Sequence, residues 1–175
     1  PAYRTRAERL YNQLARPRPF AFASLAIGLL LFALLTARLA GFLARQPRWV
    51  MRIALGLAIV LLAIISGIIA LHWVASAHIP LANGAGTMLF MGWLSLLIAI
   101  LLHRRFTPLL PIGFLSTGFA LLVAALGSAN PPITQLMPVL GSPLLSAHVA
   151  CIMLAYTLLS FISLNSMMAI VLRCI

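Results

Sequence analysis

A chain of 175 residues in which 63% of side chains are hydrophobic and only 7% charged cannot build a water-facing surface, because a soluble domain carries roughly a quarter of its residues as charges. The charge is also one-sided, with twelve basic residues against one acidic and a net charge of +11. Every base is an arginine, and nine of them lie between Arg4 and Arg52, flanking or between apolar runs; there they fix orientation in a bilayer and argue against a nucleic-acid partner.

The chain therefore reads as an all-α, polytopic transmembrane helix bundle of about five spans. A basic N-terminal stretch, residues 1–18, carries Arg4, Arg6, Arg9, Arg16 and Arg18 together with Glu8, the only carboxylate side chain. The first span is expected over about 19–43. Its uncharged part, Pro19 to Ala37, is about 28 Å long as helix, and Arg38 falls where it can reach the headgroups. The second is expected over about 53–74, the third over 87–102, the fourth over 108–126 and the fifth over 146–172. Polar or proline-bearing connections separate them: Arg45–Arg48, Ala77–Gly84, the short turn His103–Phe106, and a longer link from Ser128 to Pro143. Gly67, Gly92, Gly113 and Gly118 lie inside spans, where the missing side chain allows helices to approach closely. No internal repeat occurs. The first apolar run lacks a cleavage site after it and is too long for a signal peptide, and the start at Pro1 and the stop at Ile175 suggest a piece of a longer protein.

Orientation follows from arginine. The connections holding Arg38, Arg45, Arg48 and Arg52, the turn at Arg104–Arg105 and the tail at Arg173 alternate with two that hold none, around His78 and around Asn130 to Pro143. The alternation places His78 and His148 on the outer face. The five arginines before the first span fall on that same side and oppose the rule.

Few groups can carry chemistry. With one carboxylate, no acid–base pair or hydrolytic triad can be assembled, and no cysteine–histidine cluster has zinc spacing. Cys151 and Cys174 sit in or at the end of an apolar helix as small hydrophobes. The polar residues at membrane depth are His72, His78, Asn83, His103, His148 and Asn165, which makes them functional candidates by their desolvation cost. His148 opens the last span after Pro138 and Pro143. The residue alone leaves two readings open there: an interfacial anchor for the helix end, or an axial haem ligand with an open ring nitrogen beside an apolar wall. His78 has the same two readings, turn former or site residue. His72 reads as a helix-packing residue and His103 as part of a basic turn. Tyr156, two turns below His148 on nearly the same face, reads as a packed tyrosine or as the lining of a cofactor pocket.

Two blocks resemble a known family. The run from His72 through Trp73, Ser76, His78 and Pro80 to Asn83 is similar to the outer-loop signature W-x-x-S-G-H-x-P-x-x-N-x-Y-E-x-L of CcsA-type cytochrome c biogenesis proteins. The run Pro138, Leu140, Ser142, Leu145, His148, Val149 resembles the same family's P-x-L-x-S-x-x-L-x-x-H-V, and it continues as Met153 to Tyr156. The resemblance implies a subunit that works with a CcsB (ResB-like) partner, fused or separate. Together they would bring haem b to the outer face of the bacterial cytoplasmic membrane for attachment to apocytochrome c. It implies that His148 is one of two outer axial ligands of the haem, and it supports His78 as a further site residue. It also implies that a tryptophan-rich loop and a second outer histidine follow Ile175, so that the 175 residues alone do not attach haem. Where the family has Tyr-Glu, this chain has Ala85-Gly86. Two readings of other classes compete: a small permease or channel-like protein, and a structural membrane subunit without haem.

Overall fold

The computed structural model describes residues 17–39, 41, 48–76, 84–106, 108–127 and 143–174. They form five helices: α1 (Pro17–Leu39), α2 (Arg48–Ser76), α3 (Gly84–Leu102), α4 (Leu109–Gly127) and α5 (Pro143–Cys174). All five are long and apolar enough to cross a bilayer. Helices are the expected solution, since in hydrocarbon every backbone N–H and C=O must find its partner within the segment.

Local sequence explains several ends. Pro17 and Pro143 open α1 and α5, where a missing N–H costs nothing. α1 stops at Leu39, short of the expected 43, because Gly41 takes the left-handed conformation at φ 83° and its N–H bonds back to the Arg38 carbonyl at 3.1 Å. Between α3 and α4 the chain reverses tightly. The Arg105 and Phe106 amides both bond to the Leu102 carbonyl, and the Leu109 amide bonds to that of Phe106.

α4 is the centre of the bundle: 67% of its span is buried, against 17% for α5 and 22% for α2. α1 and α3 pack most extensively on it. A Cβ on Gly118 would lie 2.7 Å from the Leu25 amide nitrogen, and one on Gly28 would lie 2.8 Å from that of Leu115. The two glycines let the backbones of α1 and α4 touch in an antiparallel register. Gly113 faces Ala99 of α3 at equally close quarters. Five residues separate Gly113 from Gly118, a rotation of about 140° on a helix, so α4 is clasped on two sides. Of the glycines expected at contacts, Gly67 differs: its missing side chain faces open space.

Side-chain hydrogen bonds tie the same contacts. Ser24 donates to the Phe114 carbonyl at 2.8 Å, Thr117 to the Gly92 carbonyl at 2.9 Å, and the Trp93 indole N–H to the Ser66 hydroxyl at 2.7 Å; Ser116 and Ser160 share a bond at 2.8 Å. These join α1 to α4, α4 to α3, α3 to α2 and α4 to α5. Ser95 and Thr157 donate to carbonyls one turn back in their own helices, so their buried hydroxyls are satisfied without a second helix.

Candidate functional site

The interhelical contacts fix the depth of each residue. Antiparallel registers set by Gly118–Leu25, Thr117–Gly92, Ser116–Ser160 and Trp93–Ser66 divide the polar residues between the two ends of the bundle. His72 and His148 belong to one end, and Arg38, Arg52, Arg104, Arg105 and Arg173 to the other.

At the histidine end, His148 lies in the second turn of α5, and its side chain is exposed on the outside of the bundle. Thr157, Phe161 and Met168 turn toward the other helices and are buried, while α5 leaves most of its circumference uncovered. His148 thus presents an imidazole at a helix start beside the exposed apolar side chain of Leu144. An exposed imidazole beside apolar surface is a group that could hold haem iron. Among the described residues no group of three histidine, cysteine or acidic side chains is gathered to hold a metal by itself.

Tyr156 is also exposed. Its eight-residue separation from His148 is about 12 Å along the helix and a rotation of roughly 80°, so it does not stand directly beneath the histidine. His72 is buried near the end of α2, 6% exposed, and the α2–α3 register sets it level with Gly86 and Thr87. Its neighbour Trp73 is exposed. His78 and Asn83 lie outside the described residues.

His103 belongs to the opposite end. Its Nδ1–H donates to the Ile100 carbonyl at 2.6 Å, which closes the last turn of α3 and leads into Arg104 and Arg105. This placement agrees with its reading as part of a basic turn. Cys151 and Cys174 are both exposed on α5. Arg18, in the first turn of α1, shares the histidine end. Sequence reasoning singled out none of the hydroxyls that lock the bundle. Their signal was the pairing of Ser116 and Thr117 with flanking Gly113 and Gly118 in one span.

Comparison with known proteins gives this end a context. Residues 81–174, more than half of the chain, match the model of the family described as cytochrome C assembly protein. Protein NrfI of Wolinella succinogenes is 37% identical over 81 residues, 46% of this chain and 9% of NrfI. The cytochrome c biogenesis protein CcsA of Prochlorococcus marinus is 32% identical over 127 residues, 69% of this chain and 39% of that protein. CcsA of Cycas taitungensis is 29% identical over 106 residues, 58% of this chain and 33% of that protein. The chain thus spans less than two fifths of the length of these relatives. The matched region contains α3, α4 and α5 and, with them, His148.

Proposed function

The chain belongs to the cytochrome c assembly protein family, and from that premise we propose that its histidine end holds haem b for covalent attachment to apocytochrome c. The observation that carries the reading is His148, exposed at the start of α5 within the family-matched segment. In this reading the histidine end faces outward from a bacterial cytoplasmic membrane, and a CcsB-like partner completes the site. When bound, haem supplies the vinyl groups to which the apocytochrome thiols add. The contributions of this chain are to present and to orient. His148 offers one ring nitrogen to the iron, and α5 holds it against the bundle through buried Thr157, Phe161 and Met168. Tyr156 is too far along α5 to share the iron and serves as wall. His78 is proposed as a second residue of the same end.

The test is His148→Ala in the complete protein, read by haem absorbance after purification. Because the side chain is exposed, the variant is expected to insert normally and to lose most of its haem. Added imidazole should restore part of it by filling the empty coordination position. Unchanged haem content would overturn the assignment.

A further inference from the structure

The arginine end has no role in the haem reading. Carrying the α1–α4 register to its limit sets Arg38 level with the Arg104–Arg105 turn, and the α2–α3 and α4–α5 bonds bring Arg52 and Arg173 to the same depth. Arg52, Arg104, Arg105 and Arg173 are exposed, and Arg38 is half-buried. Five guanidinium groups thus occupy one layer with no acidic side chain among the described residues.

We propose that this layer is a binding surface for the phosphodiester headgroups of anionic phospholipids, centred on Arg38, Arg104 and Arg105. Depth is the first argument. From Pro19 to Arg38 a helix rises about 28 Å, one hydrocarbon thickness, so the layer stands at headgroup level. Exposed Phe106 and Trp49 flank it, as aromatic rings do at a membrane interface. Rigidity is the second. Arg104 and Arg105 sit on a turn closed by the His103, Arg105 and Phe106 bonds, so the backbone that carries them is already ordered before an anion binds. Chemistry is the third. Guanidinium groups grip phosphate oxygens in pairs, and no acidic side chain among the described residues competes for them. A free phosphate ion offers the same oxygens, but lipid headgroups are already concentrated in the plane of the layer, where each basic residue gains from an anionic surface.

The whole 175-residue chain, purified in a neutral detergent, is titrated with phosphatidylglycerol, with phosphatidylcholine of the same acyl chains, or with inorganic phosphate, and its melting midpoint is followed. Phosphatidylglycerol should raise the midpoint saturably, by on the order of 5 °C, and the other two should not. R38Q/R104Q/R105Q should lose at least half of the rise, whereas R18Q, at the opposite end, should keep all of it. Should the triple glutamine variant fail to insert, R38K/R104K/R105K, which preserves charge but not paired contacts, is expected to show a reduced rise. An equal response to phosphatidylcholine, reproduction of the rise by inorganic phosphate, or an undiminished rise in the triple variants would overturn the proposal.

Discussion

A methyl group on Gly118 has nowhere to go: it would meet the Leu25 backbone nitrogen and Cγ at 2.7 Å, and backbone cannot swing aside as a side-chain tip can. Gly118→Val should therefore force α1 off α4 at a cost of about 2–3 kcal/mol, seen as a lower melting midpoint in detergent. Gly67→Ala is the matched control, since nothing lies within 4 Å of that position. With a helix former replacing glycine it should be neutral, or stabilising by less than about 1 kcal/mol; a large loss there would show that an unseen neighbour packs against α2. The histidines separate in the same way. His72 is buried and His148 exposed. His72→Ala should lower the melting midpoint, by a loss on the order of 1–3 kcal/mol, while leaving haem content per folded molecule unchanged. His148→Ala should do the reverse. If both variants changed haem content and neither changed the midpoint, burial would be the wrong guide to their roles.

The existence and order of the five helices were legible from apolar run length and from the proline- and arginine-bearing connections. Hydrophobicity that uniform identifies a span but cannot show which side of it meets another helix, so the central place of α4 was not legible. It rests on two glycines about 140° apart and on the hydroxyls of Ser116 and Thr117, and glycine and serine occur in other spans as well, at Gly67, Gly92, Ser66 and Ser95, so they do not single out α4. The α1 end at Leu39 was hidden for a similar reason: Gly41 is a cap only if the chain turns there. His148 stood out through the block from Pro138 to Val149 rather than through its place at a span boundary, which Arg38 and His103 share. The arginine end was legible from the alternation of basic and arginine-free connections; the registers add that Arg38, Arg52, Arg104, Arg105 and Arg173 lie at one depth. The unequal burial of the elements carries its own expectation. Phe161 of α5 packs with Ala99 and Ile112, while Ile162 beside it is exposed. Phe161→Ala should cost about 2 kcal/mol, below the soluble-core figure because lipid competes for the ring, and Ile162→Ala should cost next to nothing in the melt of this chain. Equal losses would place α5 differently against α3 and α4.

For the molecule as a whole, the unequal ends decide which way it sits. Among the described residues Arg38, Arg48, Arg52, Arg104, Arg105 and Arg173 mark one end and Arg18 alone marks the other. Each arginine held at the cytoplasmic leaflet gains about 1 kcal/mol from its anionic surface, so this end is favoured inside, while the arginines that precede the first span in sequence oppose it. Short connections dominate orientation, and the Arg104–Arg105 turn is the shortest in the chain. We therefore expect the histidine end to face outward. The check is a chain with Cys151 and Cys174 replaced by serine and single cysteines introduced at Asn83, Asn130 or Arg105. An impermeant thiol reagent added to intact cells should label the first two and spare the third until the inner face is opened. Labelling of the Arg105 position in intact cells would invert the bundle, move His148 to the cytoplasmic side and remove the geometric basis for haem attachment at its exposed imidazole.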